Sequence, residues 1–370
     1  MQTLKDRILD HVRNAGPLSV GAYMSWCLLD PRQGYYPTRD PLGVDGDFIT
    51  APEISQMFGE VLGLWLLERW RALGSPGQIR LVEYGPGRGV MMSDILRTAS
   101  LDADFYAALH VYMIETSAAL EGKQAQILGD VSVPVQWVER LEDVPSGPTL
   151  IIGNEYLDCL PVRQFVMRDR FRGADGWHER LIAEDPEHPG HLAFILSEAP
   201  ISKADQALLP QDMPAPKDGD LIEVHPGLAQ MVDSLRDRFS DHPGAALFID
   251  YGPDGTEFGD TFQALHKHKK VDPLAEPGAA DLTARVNFAA LKDLGEQARL
   301  DVHGPSPQGM FLSRLGLEVR AVSLSRARPE AKPKLARQLH RLTDEQQMGT
   351  LFKAICLQAT GLGTPLGFEA

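Results

Sequence analysis

Residues 79–89 have the sequence IRLVEYGPGRG, which points to a particular class of fold. Residues 79–82 are mostly apolar and predict a short buried strand, and Glu83 places a carboxylate at its carboxyl end. Gly85, Gly87 and Gly89 follow at every second position, where glycine permits a tight turn and a close approach of a ligand to the backbone. Residues 90–98 then predict a helix. A strand, a glycine loop and a helix in this order predict a nucleotide-type ligand site, although such a loop could also be a turn without a ligand.

The spacing of the glycines distinguishes between two kinds of cofactor. A dinucleotide fold needs G-x-G-x-x-G, with a phosphate at the helix N-terminus, but Val90 occupies the third glycine position. The chain instead has an acid followed by G-x-G-x-G, and this pattern resembles the first motif of the class I S-adenosylmethionine-dependent methyltransferases. Their cofactor is a cation without phosphates, so the carboxylate of Glu83 is a suitable neighbour for it. The spacing therefore predicts S-adenosylmethionine and not NAD.

The composition is that of a folded, water-soluble protein. The 370 residues, 43% hydrophobic and 24% charged, suffice for one large domain with insertions or for two domains. The net charge of −15 argues against nucleic acid as a main partner and fits a basic substrate, although acidity also serves solubility. The three cysteines are widely separated, which indicates a reducing compartment. Neither a secretory signal nor a membrane-spanning run is visible, so we expect a cytoplasmic protein without membrane insertion.

Polar residues also follow two further predicted strands. Residues 111–114 lead to Glu115, where a carboxylate can accept hydrogen bonds from both ribose hydroxyls, or else is a surface acid. Residues 149–153 lead to Asn154 and Glu155, and Asp158 lies three residues beyond Glu155. Ligands gather at the carboxyl ends of strands in open sheets, and two close carboxylates can act as an acid/base pair or hold a cation. In the alternative, Asn154 caps a turn and both acids are solvated.

The alternation of short apolar runs with helical stretches predicts an α/β fold with one mostly parallel sheet. Strands are expected near 79–83, 111–115, 149–153 and 246–250. The predicted organisation is an N-terminal helical region and cofactor lid at 1–75, a core at 76–163 and 219–370, and a β-rich insertion at 164–218 containing a hairpin.

Two local patterns give more specific predictions. Thr50 and Glu53 have the spacing of a capping box, so a helix is expected to run from there to about Leu73. His266 and His268 lack a third ligand at a suitable spacing, so no metal site is predicted.

Several longer stretches carry a more specific resemblance. They are GYY (34–36), GDFITAPEISQMFGE (46–60), VEYGPGRG (82–89), IETS (114–117), NEYLDCLPV (154–162), IDYG (249–252), DPL (272–274), DLTARVNF (281–288), QGMFL (308–312) and MGTLFK (348–353). Together they resemble the methyltransferase family of the mitochondrial complex I assembly factor and its bacterial relatives, over nearly the whole chain. That family has a class I methyltransferase (Rossmann-like) sheet with insertions. Its mitochondrial member is a protein arginine methyltransferase that makes symmetric dimethylarginine on a complex I subunit.

The resemblance implies a role for each motif. Glu83 and the three glycines would hold the methionine part of the cofactor, Glu115 its ribose, and residues 46–50 would fold over it. Glu155 and Asp158 would be the catalytic carboxylates that hold a substrate guanidinium. The cofactor-binding residues expected in this way are Gly46, Asp47, Phe48, Thr50, Glu83, Gly85, Gly87, Gly89, Glu115, Ser117 and Asn154.

The activity implied is methyl transfer from S-adenosylmethionine to a protein arginine, with S-adenosylhomocysteine as the product and a complex I subunit as a possible target. Arg285 and Asn287 depart from the His and Asp that the resemblance leads us to expect there, which reduces the polar groups on the substrate side. Two alternatives stay open: an assembly or binding factor that keeps the cofactor pocket with little catalysis, and a small-molecule methyltransferase. The sequence leaves the oligomeric state open.

Overall fold

The computed structural model describes residues 2–38, 50–168 and 176–369. The helices are α1 (Leu4–Asn14), α2 (Val20–Leu29), α3 (Tyr35–Thr38), α4 (Ala51–Ile54), α5 (Gln56–Ala72), α6 (Val90–Ala99), α7 (Ala103–Ala108), α8 (Ala118–Ile127), α9 (Lys203–Gln206), α10 (Pro226–Asp241), α11 (Phe288–Gln297), α12 (Gln308–Arg314), α13 (Leu317–Ala327), α14 (Lys332–Thr343) and α15 (Met348–Leu351). The strands are β1 (Leu18–Ser19), β2 (Ile79–Tyr84), β3 (Leu109–Ile114), β4 (Val135–Val138), β5 (Thr149–Asn154), β6 (Arg163–Arg168), β7 (Gly176–Glu184), β8 (Leu192–Leu196), β9 (Leu221–Val224), β10 (Gly244–Tyr251), β11 (Gln263–His266), β12 (Lys269–Val271), β13 (Asp281–Thr283), β14 (Asp301–Pro307) and β15 (Phe352–Gln358).

The chain divides into two compact units, each made of three separate stretches. The first comprises Met1–Phe48, Asp158–Ala229 and Gly255–Ala290, and the second comprises Ile49–Leu157, Gln230–Asp254 and Leu291–Ala370. The domain boundaries proposed from the sequence stay a prediction. No helix among the described residues has both the length and the apolar character needed to cross a bilayer.

The second unit contains a sheet with the strand order β14-β15-β10-β5-β2-β3-β4 in the described residues. Strands β4, β3, β2, β5 and β10 pair in parallel, while β15 runs antiparallel to both of its neighbours. The predicted α/β fold with one mostly parallel sheet is confirmed. The chain runs outward from β2 through β3 and β4 and returns to β5 on the other side of β2. The strand order therefore reverses between β2 and β5, and ligands of open α/β sheets bind at such a reversal, outside the carboxyl ends of the strands.

Helices α5 and α6 cover one face of this sheet, and their apolar side chains join those of the strands in one buried core. The predicted single helix from residue 50 to about Leu73 is wrong, because the chain is extended at Ser55, where φ is −157° and ψ is 130°. The predicted capping box is also wrong, because the side chain of Thr50 caps nothing, and Ser55 instead accepts a hydrogen bond from the Met57 N–H at 3.3 Å.

The first unit is built on antiparallel strands and the N-terminal helices. Strands β1, β7, β6 and β9 form one sheet with β8 added beside β7, and β11, β12 and β13 form a second. Strands β6 and β7 pair as the predicted hairpin requires, and its turn lies outside the described residues. Tyr35 and Tyr36 lie in the short helix α3.

Candidate functional site

The glycine loop directly follows β2 and needs its glycines for steric reasons. The φ angles of Gly85, Gly87 and Gly89 are 59°, 53° and 84°, a region that residues with a side chain rarely adopt. A Cβ atom on Gly85 would lie 3.0 Å from Cδ2 of Tyr156, which is too close for a rigid ring to tolerate without moving. Gly89 occupies the N-cap of α6. The loop can therefore keep this backbone conformation only with glycine at these positions, and the missing side chains let a ligand approach the backbone closely.

Two buried hydrogen-bond acceptors lie at the carboxyl ends of the adjacent strands β2 and β5. Glu83 is 1% exposed and Asn154 is 6% exposed, and neither Oε2 of Glu83 nor Oδ1 of Asn154 has a hydrogen-bond partner among the described residues. Glu83 stands opposite Ile152 in the β2–β5 register, so side-chain alternation puts Glu83 and Asn154 on the same face of the sheet. Burial raises the pKa of the Glu83 carboxyl well above its usual range. Two acceptors kept from water in this way fit a cationic, hydrogen-bond-donating ligand.

Glu155 is held in a strained conformation immediately after β5. Its φ is 52°, which is unusual for a residue with a side chain. Its Oε1 accepts hydrogen bonds from the Ala51 N–H at 2.9 Å and from Asn154 Nδ2 at 3.0 Å. The second of these bonds also turns the amide oxygen of Asn154 away from Glu155. Glu155 therefore connects the start of α4 to the end of β5, a position that sequence reasoning did not give it.

An ion pair fastens α4 to the glycine loop. Nε and Nη2 of Arg88 donate to the two carboxylate oxygens of Glu53 at 2.9 and 2.6 Å. Glu53, the predicted capping partner of Thr50, thus forms an ion pair with Arg88 of the glycine loop.

Glu115 follows β3 and is fixed by hydrogen bonds on both oxygens. The backbone N–H groups of Thr116 and Ser117 donate to Oε1 at 2.9 and 2.7 Å, and Nε2 of Gln124 donates to Oε2 at 3.0 Å. Burial raises the pKa of the Glu115 carboxyl above its usual range, and these three hydrogen bonds oppose that shift. Because a carboxylate has about four acceptor positions, the protein already uses most of them. Ser117 is buried and caps α8 through Oγ, which accepts from the Leu120 N–H at 3.4 Å.

Comparison with known proteins identifies the family. A family model described as S-adenosyl-L-methionine-dependent methyltransferase matches residues 61–306, more than half of the chain. The chain belongs to this methyltransferase family. The methyltransferase is 35% identical to the zebrafish (Danio rerio) protein named protein arginine methyltransferase NDUFAF7, mitochondrial, over 95% of this chain and 86% of that protein. The human (Homo sapiens) protein of the same name is 35% identical over 94% of this chain and 81% of that protein.

A similar solved structure is also described as a methyl transferase and contains a bound ligand. The crystal structure of a superfamily member from Burkholderia thailandensis, described as a methyl transferase, contains bound S-adenosyl-homocysteine. It superposes on this methyltransferase with a TM-score of 0.85 and 26% identity, covering 99% of this chain and 94% of that one. The cofactor predicted from the glycine spacing, S-adenosylmethionine, is confirmed at the level of the family.

Asp158 belongs to the first unit of the methyltransferase, whereas the other predicted site residues that the structure describes belong to the second. Asp158 is 5% exposed, and its backbone oxygen accepts from the Ala284 N–H at 3.0 Å. Beside it, Tyr36 Oη donates to Oδ1 of Asp281 at 2.9 Å and lies 2.9 Å from Sγ of Cys159. Residues 34–36, residues 281–288 and the later part of the third motif, 158–162, thus meet within this unit.

Some predictions cannot be placed, and some residues were missed. Gly46, Asp47 and Phe48 lie outside the described residues. Arg285 is exposed, while Asn287 accepts from the Ala290 N–H at 3.0 Å and so stabilises the start of α11. Asp250 ends the strand expected near 246–250 and received no role from the sequence, yet its Oδ2 accepts from the Leu157 N–H at 2.8 Å. The rule that ligands and polar groups gather after strands could have singled it out.

Proposed function

We propose that this methyltransferase transfers methyl groups to a guanidinium nitrogen of arginine in a protein substrate. The proposal rests on one observation above all, the similarity over 94–95% of the chain to proteins named protein arginine methyltransferases. The acidic residues that follow β5 support it, because carboxylates are the natural partners of a guanidinium.

In this proposal the cofactor occupies the reversal between β2 and β5, where its sulfonium supplies an electrophilic methyl group. Glu83 and Asn154 offer their buried acceptors to its positively charged end, and Glu115 accepts from a ribose hydroxyl. A cation beside Glu83 would also favour the ionised carboxylate, which burial otherwise disfavours. The remaining proposed contacts are with Gly46, Asp47, Phe48, Thr50, Gly85, Gly87, Gly89 and Ser117.

Glu155 and Asp158 act on the acceptor. Arginine is charged at every working pH, so its nitrogens are poor nucleophiles. Carboxylates that hold two of its nitrogens draw the positive charge toward them and leave the third nitrogen to attack the methyl carbon. The bond from the sulfur to that carbon breaks, S-adenosylhomocysteine leaves, and one of the carboxylates accepts the proton that the methylated nitrogen loses. The same contacts fix its direction of approach, and such positioning supplies much of the rate in a reaction without a covalent intermediate.

The test separates binding from transfer. Asp158→Asn should leave affinity for S-adenosylhomocysteine nearly unchanged, while single-turnover methyl transfer to an arginine-containing peptide falls by orders of magnitude. Glu155→Gln should lower both, because Glu155 also holds the start of α4. Glu139→Gln, a change at an exposed acid, is the control and should alter neither.

Each alternative has its own outcome in these assays. If the protein binds S-adenosylhomocysteine but labels no protein in a cell lysate and no arginine peptide, the proposal fails in favour of a binding factor. If label passes only to small molecules, a small-molecule methyltransferase is correct. If Asp158→Asn transfers methyl groups at the parent rate, the role given to Asp158 is wrong.

We also propose a respiratory complex I subunit as the substrate, with symmetric dimethylation, because the sequence motifs resemble the family of the mitochondrial complex I assembly factor. Our expected compartment remains the cytoplasm, although these relatives are named mitochondrial. Mass spectrometry of complex I subunits from cells with and without the protein tests the first point, and cell fractionation tests the second.

A further inference from the structure

Both polar atoms of the Gln124 side chain form hydrogen bonds beside the candidate cofactor site. It lies on α8 with 0% exposure. Its Nε2 donates to the backbone oxygen of Gly87 at 2.7 Å and to Oε2 of Glu115 at 3.0 Å. Its Oε1 accepts from Nε1 of Trp137 at 2.7 Å. Both amide hydrogens and the amide oxygen are therefore engaged.

The two acceptors of Gln124 belong to separate segments of the site. Gly87 is in the glycine loop after β2, and Glu115 follows β3. The packing is close as well, since a Cβ atom on Gly89 would come within 3.3 Å of both Cα and Cγ of Gln124. A residue whose purpose was only to fill this space could be apolar and would avoid the cost of burying an amide. The amide instead ties the loop to the acid.

Trp137 determines which way the amide points. An indole N–H can only donate, so it must face the amide oxygen of Gln124. Because the indole of Trp137 on β4 holds the amide oxygen of Gln124, the NH₂ group of Gln124 is directed toward Gly87 and Glu115. If the amide rotated by half a turn, its oxygen would face two acceptors and both hydrogen bonds would be lost.

We propose that Trp137 and Gln124 form a positioning relay that sets the glycine loop and Glu115 at the separation and orientation needed for S-adenosylmethionine. Neither residue touches the reacting atoms. Gln124 acts through its two acceptors, and Trp137 acts through Gln124. The proposal concerns the cofactor alone, so it stands or fails separately from the arginine acceptor.

The experiment is calorimetric titration of the full-length protein with S-adenosylhomocysteine. Gln124→Met keeps the length of the side chain and removes its donors and its acceptor, so the dissociation constant should rise roughly tenfold to a hundredfold, as expected when a hydrogen bond to a charged group is lost. Trp137→Phe should raise it severalfold. Gln126→Met, an exposed change on the same helix, should leave it unchanged.

Combined variants show whether these residues act through one another. Trp137→Phe should add no further loss to Gln124→Met. Gln124→Met should have a smaller effect in a Glu115→Gln background than in the parent. Gln124→Glu, which sets a second carboxylate against Glu115, should bind poorly, and adding Glu115→Gln should recover part of the affinity by restoring an amide–carboxylate bond.

A purely structural role would give different results. The relay would be overturned if the fold-increases in the dissociation constant of the single variants simply multiplied in every combined variant. It would also be overturned if Gln124→Met bound with parent affinity, or if adding Glu115→Gln to Gln124→Glu recovered no affinity. Urea unfolding of each variant separates lost stability from lost binding. If Gln124→Met does not fold, the Trp137→Phe variant and the exchanged pair decide the question alone.

Discussion

Two glutamates at the carboxyl ends of the adjacent strands β2 and β3 have different chemical surroundings. Glu83 and Glu115 both have raised pKa values caused mainly by burial. Glu115 receives three hydrogen bonds from its own chain, whereas Oε2 of Glu83 has no hydrogen-bond partner among the described residues. Glu115 is therefore prepared as a fixed acceptor before any ligand arrives. Glu83 would become a stable anion only beside a cation, which suits the charged end of S-adenosylmethionine.

At Gly87 we expect a single substitution to abolish cofactor binding. Gly87→Val places a β-branched residue at a φ of 53°, which such residues rarely adopt, and adds bulk where the ligand would meet the backbone. Gly77→Val is the control, because Gly77 is exposed and a Cβ there meets nothing within 4 Å. Titration with S-adenosylhomocysteine should show no binding for the first variant and parent affinity for the second. Normal binding by Gly87→Val would mean that the loop is only a turn.

Replacement of Glu115 should weaken binding of the cofactor without abolishing it. Glu115→Ala should cost about 1–3 kcal/mol of binding free energy, the range for loss of a charged hydrogen-bond partner. The pKa of Glu115 is raised above its usual range, so affinity in the parent should be steady near neutral pH and should fall as the pH drops through that raised pKa and the carboxylate is neutralised. This fall should be smaller in Glu115→Gln. Titrations at several pH values would detect it, and an unchanged pH profile would exclude Glu115 from the site.

At the scale of elements, the packing of α5 against α6 is close. It depends on two glycines one turn apart, because a Cβ on Gly59 would lie 2.6 Å from Cβ of Asp94, and one on Gly63 would lie 2.9 Å from Cβ of Thr98. A side chain larger than that of glycine at either position would therefore force the two helices apart. The sequence predicted helix at both glycines, although it ran that helix through the break at Ser55, and it could not show why glycines, which disfavour helices, are present there.

We expect Gly59→Ala to destabilise the protein by about 2 kcal/mol, since overpacking outweighs the better helix propensity of alanine. Gly122→Ala in α8 is the matched comparison, because nothing lies within 4 Å of its Cβ position. That change should stabilise the protein by about 0.5–1 kcal/mol through propensity alone. Urea unfolding of the two variants measures both effects. Equal effects of the same sign would show that the contact between the helices is not tight.

Several elements were predicted from sequence, and others could not be. β2, β3, β5 and β10 were found because parallel strands covered on both faces are short continuous apolar runs. β14 and α13 were missed. β14 contains Gly304, Pro305 and Pro307, which usually mark loops, and becomes a strand only by pairing with β15. α13 exposes Val319 and Val322, which obscures its apolar face.

At the scale of the whole molecule, a buried charge joins helices that are far apart in sequence. Glu60 on α5 is 4% exposed and accepts from Arg320 on α13 at 2.7 and 3.0 Å and from Arg97 on α6 at 3.1 Å. Burial alone would raise the pKa of the Glu60 carboxyl, but the two guanidiniums outweigh it and the pKa lies below its usual range. The charge network therefore stabilises the second unit only while Glu60 is ionised.

Glu60→Gln should lower the free energy of unfolding by about 1–2 kcal/mol at neutral pH, a modest figure because both arginines are partly exposed to water. The folded-state pKa is depressed, so this contribution is present above the unfolded-state pKa near 4.5 and is lost as the pH falls through the lower folded value. Urea unfolding of parent and variant should differ most near pH 7 and converge in acid. A difference that does not change with pH would assign the effect to packing.

The sequence by itself determined the class of fold and the cofactor. It could do so because these depend on local patterns: an apolar run, an acid at its end, and glycines at a spacing that Val90 makes unsuitable for a dinucleotide. Glu83, Gly87 and Glu115 are all recognisable from their immediate neighbours.

Only the tertiary structure decided how those residues are held. The break at Ser55, the ion pair of Arg88 with Glu53 and the engagement of Glu155 with Ala51 join segments that are distant along the chain or whose geometry local patterns do not encode. Gln124 appears in the sequence as one polar helical residue among several. It becomes a link between two parts of the site because β2, β3 and β4 lie side by side in the folded sheet, and a buried amide must satisfy its hydrogen bonds with whatever the sheet brings within reach.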